Sequence, residues 1–163
     1  MIIIESILDV SPYLGGRAAP KSVVYNWNDF ENLSENTTGI LVVSNSCNEG
    51  TVLDLDPFKS LQYLEIGDDS FKNVITFNIN GLSKLTLIYI GISSFTQERE
   101  NALYSFRLLN CDSLINLEIG QYSFSEYTGV IELSNLPSLE NIKIGALNER
   151  SSCFSSCYLH IHG

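Results

Sequence analysis

A fifteen-residue pattern occurs four times in this chain without an insertion, and few architectures can accommodate it. Written φ-x-φ-x-x-φ-x-x-L-x-x-φ-x-φ-G, with φ apolar, it covers 53–67 (LDLDPFKSLQYLEIG), 77–91 (FNINGLSKLTLIYIG), 106–120 (FRLLNCDSLINLEIG) and 131–145 (IELSNLPSLENIKIG). Such a register signals one structural unit stacked along an axis. Within each copy the apolar residues alternate at both ends, as in Phe77/Ile79 and Ile88/Ile90. Period two over branched and large apolar side chains is a strand signature, and the 3.6-residue spacing of a helix is absent. A corner joins the two strands, with the sixth and ninth positions (Leu82 and Leu85, Leu136 and Leu139) expected to point inward. The closing glycines at 67, 91, 120 and 145 are expected to relieve the backbone where the second strand turns away. The expected fold is a β-rich solenoid with two short parallel strands per coil.

The stretches between spine copies vary in length but keep a mark. Leu61 to Leu85 is 24 residues, Leu85 to Leu114 is 29 and Leu114 to Leu139 is 25. Each linker carries Ser70-Phe71, Ser94-Phe95 or Ser123-Phe124, and the phenylalanine is expected inside as a further rung. The variable stretches 72–76, 96–105 and 125–130 belong on the outer side, and the polar 96–105 could hold one helical turn. Ile40–Val43 reads as an earlier strand, with Leu41 aligned to Leu64, giving a partial first repeat. Trp27, Phe30 and Leu33, spaced by three, suit a short helix capping the first coil. Residues 1–22 are expected to add a strand or helix to that cap, or to belong to a preceding segment. The organisation is therefore a cap segment, 1–38, and a solenoid of about four to five coils, 39–163, the last incomplete. Leu159-His160-Ile161-His162-Gly163 matches the first strand of a fifth copy, so an apolar coil end would face water there. Truncation of a longer protein, or a second copy covering that end, would resolve the exposure.

Composition narrows the partners. With 44% hydrophobic and 17% charged residues, the 163-residue chain has what an ordered core requires, and no apolar run approaches the ~20 residues of a membrane span. The net charge of −10 argues against nucleic acid, which demands a basic footprint, and against an anionic membrane surface. Cys111 occupies the core position held by Phe58, Leu82 and Leu136 in the other copies, Cys47 follows the first strand, and Cys153 and Cys157 lie in a Ser-rich turn. No disulfide framework emerges, so a reducing compartment is expected. The start, MIIIESILDV, lacks the basic region of a secretory signal, and a cytoplasmic location is the expectation.

The segment Leu114-x-x-Leu117-x-Ile119-x-x-Tyr122-x-Phe124 has the LxxLxLxxNxL spacing of leucine-rich repeats. So do Leu61-x-x-Leu64-x-Ile66-x-x-Asp69-x-Phe71 and Leu85-x-x-Ile88-x-Ile90-x-x-Ser93-x-Phe95. The chain resembles that family over about residues 40–163, and the period of 24 to 29 falls in its range. The IGxxSF string is similar to BspA-like repeats of bacterial and protozoan surface proteins. The resemblance implies a curved, right-handed solenoid whose parallel strands line a recognition face, with no catalytic group. Its departure lies at the asparagine position, which carries Asp69, Ser93 and Tyr122, so the family's asparagine ladder must be replaced or weakened. The fourth copy has Leu147 there and no phenylalanine before Phe154, so its turn is expected to be irregular.

On the second strands, outward positions form two columns: Glu65, Tyr89, Glu118 and Lys143, and beside them Tyr63, Leu87, Asn116 and Asn141. Strands ~4.8 Å apart make these one continuous strip. Tyrosine, leucine and carboxylate together suit a protein-binding patch, aromatics anchoring and charges setting register. These eight residues are the candidate site for a protein or peptide partner. On the first strands, Asp54 and Asp56 project on one face ~7 Å apart, a spacing that invites a paired-carboxylate glycan hydrolase. No substrate-holding groups are legible nearby. His160 and His162 could share a metal with Cys153 and Cys157, but their spacing fits no compact zinc motif, so no metal or cofactor is expected. Phosphate loop, nucleophile elbow and HExxH are absent from the sequence. Recognition of a protein or peptide is the leading expectation and catalysis is not expected. A self-assembling solenoid is the alternative, and a β-helix glycan hydrolase a remote one.

Overall fold

A computed structural model describes residues 3–7, 21–96, 105–125, 130–145 and 158–162, with the two terminal strands described by their backbone. Two parallel sheets face each other across one core. The first contains β1 (Ile3–Ile7), β2 (Ser22–Val24), β3 (Gly39–Val42), β5 (Tyr63–Ile66), β7 (Leu87–Ile90), β9 (Asn116–Ile119) and β11 (Asn141–Gly145). The second contains β4 (Val52–Asp54), β6 (Thr76–Asn80), β8 (Ser105–Leu109), β10 (Val130–Ser134) and β12 (Tyr158–His162). Strand order in the second sheet is β12-β10-β8-β6-β4, so each coil adds one strand to each sheet, as the spine pattern requires. The chain is a β-solenoid of about four turns, with one five-residue helix, α1 (Trp27–Glu31), among the described residues.

The four spine copies superpose. Leu61, Leu85, Leu114 and Leu139 are all buried in one apolar cluster. Each donates its N–H to the residue three earlier in the same corner turn, namely Phe58, Leu82, Cys111 and Leu136. The next coil-to-coil bonds follow at once: Thr86 N–H to Gln62 O, Ile115 N–H to Thr86 O and Glu140 N–H to Ile115 O. Register therefore passes unbroken through the corner into the second strand.

After each second strand the backbone makes a double left-handed turn. The asparagine position and the phenylalanine both have positive φ: Asp69 (53°) and Phe71 (52°), Ser93 (58°) and Phe95 (57°), Tyr122 (65°) and Phe124 (59°). Non-glycine residues in this region cost on the order of 1–3 kcal/mol each, so the turn persists only where its surroundings over-determine it. The serine between them supplies one such constraint. Ser94 Oγ accepts the Ser70 N–H (3.1 Å) and donates to Gly67 O (2.9 Å). Ser123 Oγ likewise accepts the Ser94 N–H (3.0 Å) and donates to Gly91 O (2.7 Å), and Ser70 Oγ accepts the Ser46 N–H (3.2 Å). A buried serine ladder thus joins consecutive coils at this turn.

Phenylalanine supplies the other constraint. Phe71, Phe95 and Phe124 stack with centroids 5.5 and 4.7 Å apart, and Phe77 and Phe106 of the second sheet interleave with them at 4.8–5.0 Å. Burying each ring contributes about 2–3 kcal/mol, with stacking adding about 1. In the first coil Cys47 (φ 60°) takes the phenylalanine slot, and the smaller side chain leaves the stack open. Helix α1 closes it, with Phe30 and Trp27 edge-on to Phe71 at 6.2 and 6.1 Å. Asn26 caps α1 by accepting the Asp29 N–H (2.8 Å), and the Asp29 carboxylate accepts the N–H of the preceding Tyr25 (2.9 Å).

Four expectations require correction. The spine glycines do not adopt positive φ. They are needed because successive coils touch there: a Cβ on Gly120 would lie 2.6 Å from the Gly91 carbonyl carbon and oxygen. The first repeat aligns Ile40, not Leu41, with Leu64, because Leu41 faces Glu65. Residues 3–7 do not join the N-terminal cap. They pair in parallel with β11 at the opposite end of the sheet, Ile4 against Ile142 and Ser6 against Ile144. The last coil is consequently not left incomplete: β12 extends the second sheet and β1 fills the neighbouring second-strand slot. The expected irregular turn after Gly145, and the helical turn placed within 96–105, fall largely outside the described residues.

Replacing Ser94 with alanine strands the Ser70 N–H and the Gly67 carbonyl inside the core. Chemical denaturation should show a loss of about 1–3 kcal/mol, while Ser83→Ala, at an exposed position, should change stability by less than about 0.5. Gly120→Ala should cost on the order of 3 kcal/mol, because the obstructing atoms are backbone.

Candidate functional site

The two sheets present different outer surfaces. The second sheet alternates buried and wet positions, with Asp54, Asn80 and Arg107 exposed. The first reads as nearly continuous apolar strand, and all four residues of β7 are buried, the pattern of a parallel sheet covered on both faces.

Register places all eight candidate residues as expected: Glu65, Tyr89, Glu118 and Lys143 in one row, Tyr63, Leu87, Asn116 and Asn141 in the other. Leu41 extends the first row beyond Glu65, and Glu5 pairs with Lys143 at the far end. The strip is not the open solvent-facing surface that alternation suggested. Glu65, Leu87, Tyr89 and Glu118 are 0%, 2%, 5% and 4% exposed, and the other four are half-buried. Within the strip Lys143 Nζ lies 3.7 Å from Glu118 Oε1, and Asn141 Nδ2 donates to Asn116 Oδ1 at 3.0 Å.

A cavity of about 280 Å³ opens on this face between the first and third second-strands. Leu41, Val43, Ile66 and Ile92 give it apolar walls, and Ser44, Glu65, Asp68 and Tyr89 are its polar lining residues. Lys21, just ahead of β2, sets its ammonium 2.9 Å from Glu65 Oε1. That contact is an ion pair without hydrogen-bond alignment, so neither oxygen of this buried carboxylate accepts a hydrogen bond among the described residues. Removing Lys21 would leave a buried charge unpaired, a loss worth about 3–5 kcal/mol. Asp68 is held in place by the Ile92 N–H, which donates to Oδ1 at 2.8 Å. Burial, and then the carboxylates of Asp68, Glu118 and Glu65, push the Tyr89 hydroxyl up to about 12, so it stays protonated at neutral pH.

Sequence reasoning missed Lys21, Asp68, Val43 and Ile92. The last three follow their second strands directly, so extending the column argument two residues past each strand would have found them. Lys21 carried no comparable signal, because its position depends on where β2 docks.

The first-strand acids have structural work: Asp54 Oδ1 accepts the Asp56 N–H (3.0 Å) and Asp56 Oδ1 the Asn80 N–H (2.8 Å). A shallow depression of about 180 Å³ lies beside them, lined by Asp56, Asn78, Asn80 and Arg107. His160 pairs in register with Glu132 and His162 with Ser134, while Cys153 and Cys157 fall outside the described residues. Cys47 and Cys111 are buried and unpaired with each other. Burial above all pushes both thiols up, that of Cys47 to about 12, which leaves neither as a thiolate. Among the described residues no three His, Cys, Asp or Glu are grouped to hold a metal ion, and no helix is long and apolar enough to cross a membrane.

Comparison with family models, curated proteins and solved structures finds no match to this chain.

Proposed function

We propose that this chain is a recognition module of leucine-rich-repeat type that binds a protein or peptide through its second-strand face. The observation that carries the reading is the cavity beside Glu65 and Tyr89, which lies on the strip that the repeat register singles out. Its volume sits just below the ~300–1,000 Å³ of small-molecule pockets and suits one bulky side chain. Apolar walls would supply burial, and the flanking carboxylates and tyrosine would set orientation, the division of labour found at binding hot spots. The spacing of the repeats supports the family reading, with a serine ladder taking over the structural duty of asparagine.

A peptide-display library selected on the immobilised chain tests the proposal. Enriched peptides should bind the wild-type protein and lose at least about tenfold in affinity to Val43→Trp, which fills the cavity from a half-exposed position without entering the core. Absence of enrichment, or peptides indifferent to the filled cavity, would overturn it.

One observation favours a second reading, assembly of copies. The β11 edge is taken by a strand from the other end of the chain, joined to β2 through residues 8–20, and such a strand can be donated to a neighbouring copy. Sedimentation should then reveal a dimer that dissociates when residues 1–7 are deleted. A monomer throughout the accessible concentration range would end this reading.

A further inference from the structure

The buried carboxylate at the cavity bears on what the cavity holds. Glu65 is fully buried, lines the cavity and among the described residues has no hydrogen-bond donor on either oxygen, with the Lys21 ammonium 2.9 Å from Oε1. A buried charged group so poorly satisfied is costly unless something completes its shell. Asp68, half-buried, adds a second carboxylate to the same lining, with Oδ1 engaged by the Ile92 N–H. Ser44 and Tyr89 add neutral hydroxyls, and the walls that would receive the rest of an occupant, Leu41, Val43 and Ile92, are aliphatic. Two carboxylates at an aliphatic cavity describe a complement: a methylene stem ending in a cationic hydrogen-bond donor. Lysine and arginine have that form, burying the stem while the charged head finds acceptors.

We propose that the cavity receives the side chain of a basic residue, lysine or arginine, from the bound peptide, with its cationic head between Glu65 and Asp68. This inference rests on the recognition reading above and assigns its chemistry. The electrostatics around the cavity agree, because the carboxylates of Asp68, Glu118 and Glu65 all act to raise the Tyr89 hydroxyl. An acidic chain, net −10, would also steer a basic partner toward itself. Lys21 shows that an ammonium can stand beside Glu65, 2.9 Å from Oε1, while both carboxylate oxygens remain without a hydrogen-bond donor among the described residues.

The test compares the capped tripeptides Ac-Ala-Lys-Ala-NH₂ and Ac-Ala-Arg-Ala-NH₂ with the norleucine tripeptide, which keeps the stem and loses the charge. Titration is followed through the backbone amide resonances of Ser44, Asp68 and Ile92. One of the basic peptides should bind about tenfold more tightly than norleucine. Asp68→Asn should reduce that preference severalfold while leaving norleucine affinity in place. Glu65→Gln should do the same if it folds, and Asp68→Asn carries the test if it does not. Equal binding of all three peptides would overturn the basic-residue inference and leave the recognition reading standing. A preference untouched by Asp68→Asn would overturn it as well. Failure of every peptide to shift these resonances would remove both.

Discussion

Parallel coils can stack only if every backbone group finds its partner in the coil above or below, including where the chain leaves one sheet for the other. Strands meet this demand by themselves, but the turns between them do not. Here the turn after each second strand is built from two left-handed residues with a serine between them, and the serine hydroxyl joins consecutive coils from both sides. The N–H of each phenylalanine then reaches the serine carbonyl of the coil before, as Phe95 does to Ser70 at 3.1 Å. The turn is strained as a local conformation and satisfied as a member of a stack. That coupling fixes the coil-to-coil register, and the register in turn aligns the Phe rungs, the core leucines and the outer columns.

Much of this was legible in the sequence because a solenoid repeats its physics. Leu61, Leu85, Leu114 and Leu139 could be set equivalent from spacing alone, and their identical corner turns follow from that equivalence. The Ser-Phe mark was visible, but its role was read only halfway. Spacing placed the phenylalanine inside, whereas the function of the serine depends on a hydroxyl meeting a backbone group 24 to 29 residues away. The glycines were noticed for the wrong reason: nothing in one coil reveals that the backbone of the next lies where a Cβ would go. The position of Ile3–Ile7 was out of reach for a related cause. A strand that pairs with β11 from the far end of the chain obeys no local pattern.

The candidate site divides along the same line. Its two columns came directly from alternation, but their burial did not, because alternation tells which side of a strand a residue occupies and not what that side meets. The cavity arises where Val43, Asp68 and Ile92 leave their strands, just outside the regular pattern. In a repeat protein the regular positions maintain the stack, so departures from regularity are where recognition can be sought. Asp68 is such a departure: a carboxylate two residues past the end of β5.

Native-state hydrogen exchange measures the central coupling directly, at the Ser70 amide whose acceptor is the Ser94 hydroxyl one coil on. If the serine ladder locks the stack, this amide lies outside any strand yet exchanges as slowly as those of β5 and β7. In Ser94→Ala it should accelerate by about 10- to 100-fold and by more than the amides of β5 and β7, which gain only the global loss of stability. Exchange of the wild-type Ser70 amide at the rate of an exposed loop would contradict the account, and the coils would then have to be held in register by the strands without the turns.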